Sequence, residues 1–197
     1  MTLWDLLFTN KNSAPPGFGL WYFILTASLL VVGYFSIRYA QSKSYQRFWY
    51  WAQLIQVLTI NAWYILAHMP LTDNLPFYHC RLAMFAVLFL PDRWKSKQFF
   101  ALMGVSGAIF ALGYPVFDPY TFPHITSFSF LIGHYALLGN SLVYLMNSYD
   151  KKALKKYQIL FYTFALDLFL VGVNHLTGGN YGLMTHQHFI KGEHILF

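Results

Sequence analysis

The side chain best suited to chemistry in this sequence is the single cysteine, Cys80, which lies between His79 and Arg81. A cysteine thiolate is a nucleophile and becomes more reactive beside a base or a positive charge. A second histidine, His134, lies within a later apolar segment. Together Cys80 and His134 supply the components of a nucleophile and its general base. The alternative is that a lone cysteine packs as a small hydrophobic residue.

The composition defines the elements that must position these residues. Hydrophobic residues make up 57% of the chain and charged residues only 10%, whereas about a quarter of a soluble domain is charged. Several apolar blocks approach the ~20 residues that a helix needs to cross a bilayer. We therefore predict an all-α polytopic transmembrane bundle in one domain, residues 1–197, with about six helices. They are predicted near residues 19–39, 48–69, 76–90, 98–116, 127–147 and 157–177, between an interfacial segment, 1–18, and a tail, 178–197.

Basic residues predict the orientation of the bundle. Ten of the 13 lysines and arginines fall in three predicted loops, 38–47, 91–97 and 150–156. Because short loops rich in lysine and arginine stay in the cytoplasm, these loops are expected inside and both termini outside. The net charge of +6 then reflects topology and attraction to anionic lipid rather than nucleic acid.

In this topology all eight histidines and Cys80 fall toward the outer side of the bundle. At 1.5 Å per residue, Cys80 lies ~6 Å below Pro76 and His134 lies ~10 Å below Ser127. The thiol and the imidazole are therefore expected at comparable depth from the same face.

Three short patterns occur at the outer ends of predicted helices. One is a proline four residues before a cysteine, the next is Phe-Pro eleven residues before a histidine, and the last is asparagine, glycine and Asn-Tyr after the sixth helix. They are formed by Pro76 and Cys80, by Phe122, Pro123 and His134, and by Asn174, Gly178, Asn180 and Tyr181. In their order and spacing these patterns resemble those of the YwaF-type bacterial integral membrane proteins and their eukaryotic relatives, the transmembrane-protein-164-type phospholipid acyltransferases.

The resemblance implies a bacterial multi-pass membrane enzyme that needs no cofactor. In it, Cys80 attacks an acyl ester to form a thioester, and His134 serves as general base and acid. The acyl group then passes to a lysophospholipid or to water. Asn174 and Asn180 would orient the imidazole or donate to the oxyanion, with Tyr181 as a further supporting residue. Because acyl-CoA is cytoplasmic, a site in the extracytoplasmic leaflet predicts a phospholipid donor and a CoA-independent transacylase.

Other residues near the predicted site keep more than one interpretation. Arg81 could pair with a lipid phosphate, promote the thiolate, or snorkel toward the headgroups. Asp167 lies in the middle of an apolar helix, on the same face as Asn174, and either supports the site or holds a structural hydrogen bond. His79 is a neighbour of the nucleophile, but the relatives' histidine stands two residues before the cysteine, where this chain has Tyr78.

A histidine-rich metal site, or a metal-dependent hydrolase, is the alternative from another class. His186 and His188, together with His175, His124 or His134, could bind zinc near the outer surface. His175 is also a candidate supporting residue of the acyl-transfer site.

Overall fold

The computed structural model of the chain describes residues 2–17 and 19–183, and no β-strand occurs in this part of the chain. The helices follow the apolar blocks of the sequence, with turns of 4 to 12 residues between the long ones. Their bounds are Leu3–Phe8 (α1), Leu20–Arg38 (α2), Lys43–Leu66 (α3), Leu71–Asn74 (α4), His79–Phe89 (α5), Lys95–Gly113 (α6), Ile125–Ser148 (α7) and Lys156–Thr177 (α8), followed by a 3-10 turn at Tyr181–Leu183.

Four of these helices, α2, α6, α7 and α8, are long and apolar enough to cross a membrane, and α5 is a shorter apolar helix. The prediction of an all-helical, multi-pass membrane protein is therefore confirmed. Each of the six predicted segments overlaps a helix. How many helices cross the bilayer, and which face is outside, remain predictions.

Local capping explains where the helix bounds differ from those predicted. α3 begins at Lys43 instead of residue 48, because the Ser42 side chain accepts the Tyr45 N–H and caps a polar first turn. α6 ends at Gly113 instead of residue 116, because the residue before a proline, here Tyr114, is disfavoured in a helix. α5 begins at His79 instead of residue 76, so Cys80 is its second residue.

Hydrogen bonds join the three basic loops at one end of the bundle. The Asn147 side chain donates to the Ala40 carbonyl over 2.9 Å, and the Gln98 side chain donates to the Asp150 carbonyl over 3.0 Å. We call this the basic end. The opposite end, called the histidine end below, carries the loop 114–124, the start of α5 and the turn after α8.

α7 is the central helix, and it packs against α2, α3, α5 and α6. Small residues permit this close packing. A Cβ on Gly139 would lie 2.6 Å from the Trp49 ring, and one on Gly104 of α6 would overlap the Ser141 hydroxyl. Small residues at helix interfaces are typical of membrane bundles, where packing replaces the hydrophobic effect between helices.

The N-terminal segment folds over the histidine end. The Phe8 carbonyl accepts from the Trp63 indole over 3.4 Å, and the Ser13 N–H donates to the Pro119 carbonyl over 2.7 Å. Thr2 caps α1 through reciprocal bonds with Asp5. The segment predicted as interfacial is therefore tied to the bundle, while the apolar face of α1 stays exposed.

Candidate active site at the histidine end

Cys80 lies in the first turn of α5, where an α-helix leaves backbone N–H groups without intrahelical acceptors. The cap residue, Tyr78, provides no side-chain hydrogen bond to this turn. The thiol is half-buried and rests on α6, since a Cβ on Gly107 would lie 3.0 Å from the Cys80 sulfur. The nucleophile predicted from the sequence thus sits where three helices, α5, α6 and α7, meet.

His134 lies on α7 and is buried, with 8% of its surface exposed. Its Nδ1 is 2.7 Å from the Phe130 carbonyl oxygen, and a carbonyl can only accept. Nδ1 therefore carries the proton in the neutral ring, which leaves Nε2 as the basic nitrogen. The Phe130 ring also packs on the imidazole, with centroids 4.4 Å apart, and fixes its plane.

The helices that carry Cys80 and His134 contribute residues to one buried cluster. Cys80 packs against it, one turn before Ala83, while Leu137 lies one turn after His134 and Ala108 contributes from α6. The common depth of the thiol and the imidazole remains a prediction. Within residues 2–17 and 19–183, no hydrogen bond joins the thiol to the imidazole, so their action as a pair remains a prediction.

Arg81 is enclosed by tyrosines. Its guanidinium donates to the Tyr64 hydroxyl over 2.5 Å and lies 4.8 Å from the centre of that ring and 5.6 Å from that of Tyr78. Of its three interpretations, the geometry favours a fixed cation beside Cys80 over an extended, snorkelling side chain.

The mid-helix carboxylate, Asp167, is bonded to His79. The His79 Nε2 lies 3.0 Å from the Asp167 Oδ1 and donates its proton to the carboxylate. The bond joins α8 to the first turn of α5, directly beside Cys80. Sequence reasoning selected both residues without pairing them, and of the two interpretations of Asp167 the structure shows the hydrogen bond.

Asn174 closes the turn that follows α8. Its amide donates to the Tyr181 carbonyl over 2.9 Å and accepts the Tyr181 N–H over 2.7 Å, while Gly178 ends the helix in the left-handed region at φ 71°. The Tyr181 ring packs on Phe77 and Tyr78, just before α5. The third sequence pattern therefore positions the segment that leads to Cys80, and a direct role of Asn174 at the imidazole or oxyanion remains a prediction.

Two further predicted residues, Asn180 and His175, lie near the end of α8. Asn180 is half-buried, and His175 is exposed on the last turn of α8. The structure brings both to the histidine end, and neither belongs to the buried cluster around Cys80.

A polar chain beside His134 was not predicted. The Gln53 amide donates to the Gln56 side chain over 3.0 Å, and the Gln56 amide donates to the Ser129 hydroxyl over 2.6 Å. Gln56 also fills the space over Gly133, where a Cβ would lie 3.0 Å from the amide carbon. The sequence feature that could have indicated this chain is the pair of glutamines three residues apart in an apolar helix, a spacing that places both on one helix face.

The alternative of a metal site involves histidines in two parts of the chain. No group of three or more potential metal ligands occurs among the described residues. His124 has both ring nitrogens engaged, one with the Thr9 carbonyl and one with Thr126. His186 and His188 lie outside the described residues.

Comparison with known proteins adds one finding to this geometry. The model of the TMEM164 family matches residues 12–196. No curated protein and no solved structure matches the chain.

Proposed function

The chain belongs to the TMEM164 family, and from this premise we propose that it is a membrane phospholipid acyltransferase that works through a Cys80 thioester. The observation that carries the proposal is the tautomer of His134. Its Nδ1–H is committed to the Phe130 carbonyl, so its basic nitrogen is Nε2, and the helix that carries it packs into the same buried cluster as the single thiol of the chain.

The first half-reaction forms the acyl-enzyme. His134 Nε2 accepts the thiol proton, and the Cys80 sulfur attacks the carbonyl carbon of an ester in the donor phospholipid. The C–O bond breaks, and the proton on Nε2 passes to the departing alkoxide, which leaves as a lysophospholipid. The thiol rests against Gly107, and this step requires it to come within hydrogen-bond reach of the imidazole.

The second half-reaction returns the enzyme to its starting state. The hydroxyl of an acceptor lysophospholipid gives its proton to His134 Nε2, and its oxygen attacks the thioester carbonyl. The C–S bond breaks, and the proton returns to the Cys80 sulfur. When water takes the place of the acceptor, the product is a free fatty acid.

The first turn of α5 supplies the electrostatic part of the mechanism. Backbone N–H groups at a helix N-terminus have no intrahelical acceptor and carry partial positive charge. The Cys80 amide is one of them, because Cys80 is the second residue of the helix. Such donors stabilise the oxyanion that develops on an acyl carbonyl under attack.

The donor follows from the predicted orientation. With the basic end in the cytoplasm, the histidine end opens to the extracytoplasmic leaflet, where phospholipids are available and acyl-CoA is not. We therefore propose a CoA-independent transacylase.

The test uses the purified protein in nanodiscs that contain a phospholipid with an isotope-labelled acyl chain, a separately labelled lysophospholipid and no acyl-CoA. Mass spectrometry of the lipids should show the labelled chain on the acceptor, and Cys80→Ala should abolish the transfer. Transfer that survives in Cys80→Ala would overturn the nucleophile, and activity that requires added acyl-CoA would overturn the donor assignment.

A further inference from the structure

A short polar chain crosses the contact between α3 and α7. On α3 the Gln53 amide donates to the Gln56 side chain over 3.0 Å, and across the contact the Gln56 amide donates to the Ser129 hydroxyl over 2.6 Å. All three residues are buried. A buried amide without a partner carries a large desolvation cost, so this chain is satisfied only when the two helices meet in one register. The chain therefore specifies how α3 and α7 are placed against each other.

The Gln56 amide also sets how closely the two helices approach. A Cβ on Gly133 would lie 3.0 Å from the amide carbon of Gln56 and 3.1 Å from its nitrogen and its oxygen. The amide thus occupies the place that a side chain at residue 133 would take. Because Gln53 donates to the Gln56 oxygen, the Gln56 nitrogen faces Ser129. Gln56 is therefore fixed in both position and orientation against α7.

The segment of α7 that Gln56 contacts is also the segment that holds the His134 imidazole. The two points of contact, Ser129 and Gly133, lie one helical turn apart. Between them is Phe130, whose carbonyl accepts the His134 Nδ1–H over 2.7 Å and whose ring packs on the imidazole. Gly133 directly precedes His134. Gln56 thus contacts both ends of the turn that carries the imidazole.

The rotation of α7 about its axis sets the direction in which His134 points. Successive residues of an α-helix are about 100° apart, so His134 projects away from the Gly133 face that meets α3. Leu138, one turn after His134, lies in the buried cluster with Ala83 of α5. Cys80 packs against the same cluster. A rotation of α7 would therefore turn the imidazole away from α5 and leave its hydrogen bond within α7 intact.

We propose that Gln56 is a positioning residue for His134, which holds the turn 129–133 so that the imidazole is directed to the side of α7 that packs on α5. The inference rests on the proposed function and adds to it a residue of a third helix. In the described part of the chain, no hydrogen bond joins Gln56 to the thiol or to the imidazole. Gln56 therefore acts through the placement of α7 and not on the reacting atoms.

The first test separates the rate of acyl-enzyme formation from substrate binding. Gln56→Met keeps the length of the side chain over Gly133 and removes both hydrogen bonds. At saturating phospholipid it should slow acylation by roughly tenfold to a hundredfold, the range expected when a reacting group moves by up to about 1 Å. The lipid concentration that gives half the maximal rate should stay near that of the parent.

Ser129 provides a second pair of variants, which decides the matter if Gln56→Met does not fold. Ser129→Ala removes the hydroxyl that accepts the Gln56 amide and should slow acylation in the same range. Ser129→Thr restores a hydroxyl and should recover most of the rate. A rate that depends only on the size of residue 129, and not on its hydroxyl, would contradict the proposal.

Asn140→Ala is the matched control. Asn140 also joins α7 to α3, because its amide donates to the Trp49 carbonyl over 2.9 Å, but this bond lies outside the turn 129–133. The variant should lower the temperature of thermal unfolding in detergent, as Gln56→Met does, and acylate at the rate of the parent. An equal loss of rate in both variants would reduce Gln56 to general packing and overturn the inference.

A further measurement reports the geometry without lipid chemistry. The chain has one cysteine, so His134→Cys gives a protein whose two thiols can be joined by a short bismethanethiosulfonate cross-linker. Adding Gln56→Met to this protein should slow the intramolecular cross-linking of residues 80 and 134 several-fold, whereas adding Asn140→Ala should not. Mass spectrometry of the intact protein follows the reaction.

The outcomes separate this inference from the proposed function. If the parent forms no acyl-enzyme while Gln56→Met slows cross-linking, the acyltransferase proposal falls and the placement of residue 134 by Gln56 stands. If the parent acylates while Gln56→Met and Ser129→Ala change neither acylation nor cross-linking, Gln56 is not a positioning residue. The absence of any cross-link in the His134→Cys protein would show that residue 134 does not face Cys80, and would overturn both.

Discussion

Two membrane helices of similar length, α7 and α8, are held in the molecule in opposite ways. In its most apolar stretch, α7 has 56% of its residues buried and α8 only 11%. α7 packs along its length against four helices. α8 is anchored at the histidine end, through the Asp167–His79 bond and the Asn174–Tyr181 turn.

The difference assigns distinct tasks to the two helices. The proposed base, His134, lies on the fixed helix, whose close contacts hold the imidazole at a constant depth. Two polar residues of α8, Asp167 and Asn174, form its points of attachment, and those points position the start of α5, where Cys80 lies. Substitutions on α7 should therefore affect chemistry or folding directly, while substitutions on α8 should act through the placement of α5.

The sharpest contrast is between a histidine on each helix. Replacing His134 by glutamine should slow acyl-enzyme formation by roughly 10²–10⁴-fold, the usual contribution of a general base. His175→Gln, on the exposed last turn of α8, should leave the rate near that of the parent. Rapid-quench mass spectrometry under single-turnover conditions measures both. Equal rates in the two variants would remove His134 from the mechanism.

Glycine substitutions compare the packing of the inner bundle with that of α8. Gly104→Val should lower the free energy of unfolding by about 1–3 kcal/mol, because a Cβ there would overlap Ser141 and lie 2.9 Å from Leu137. Gly172→Val on α8 should have little effect, since nothing lies within 4 Å of its added Cβ. Unfolding in mixed detergent micelles gives both values. Similar losses would show that α8 is packed as tightly as the interface between α6 and α7.

A substitution at Asn174 tests whether the turn after α8 supports the first turn of α5. Asn174→Ala should cost about 1–3 kcal/mol locally, because it leaves buried backbone groups of Tyr181 without their partners. Hydrogen exchange should rise in residues 178–183 and in the first turn of α5, which Tyr181 supports through Phe77 and Tyr78. Thr163→Ala, an exposed control on α8 whose hydroxyl bonds within its own helix, should change exchange less. Unchanged exchange at α5 would separate the turn from the site.

A smaller effect concerns His124, the N-cap residue of α7, because its imidazole can titrate. The His124 Nδ1 accepts the Thr126 N–H, and its Nε2–H donates to Thr9. Burial lowers the pKa of His124 from 6.5, against the opposing effect of the Thr9 bond. As the pH falls, His124 therefore takes up its proton in the unfolded state before it does so in the folded state. Its contribution to the stability of the fold is complete above the unfolded pKa of histidine and decreases as the pH drops below that value.

Replacing this cap should flatten the pH dependence. His124→Asn keeps a capping side chain but cannot titrate, so its stability loss between about pH 7 and pH 5 should be smaller than that of the parent. Thermal unfolding in detergent across that range measures the difference. A parent whose stability falls no faster than that of the variant would contradict the assignment.

The helices were predictable because apolar blocks separated by charged loops leave few alternatives. The ends of the helices were less predictable from hydropathy. The Ser42 cap and the position of Tyr114 before a proline determine where a helix begins or ends, and neither changes the hydropathy of the segment. The common layer of Cys80 and His134 was predicted from topology and helical rise and remains a prediction. These features depend on the sequence near each residue.

The contacts across the site were not predictable, because they depend on how helices rotate about their axes. Asp167 and His79 are distant in sequence, and only the packing of α8 on α5 makes them partners. Arg81 likewise had three interpretations until the structure placed Tyr64 and Tyr78 around it. The contact of Tyr181 with Phe77, which joins the Asn174 pattern to the start of α5, depends on the same packing.

The most direct test of the acyl-enzyme is the intact mass of the protein after incubation with a defined phospholipid and no acceptor. The parent should gain the mass of one acyl chain, removable by hydroxylamine, and Cys80→Ser should not show this labile adduct. Adding lysophospholipid should discharge the parent adduct onto the acceptor. A folded parent that turns over lipid without any adduct on Cys80, or an adduct that forms equally in Cys80→Ala, would contradict a thioester mechanism.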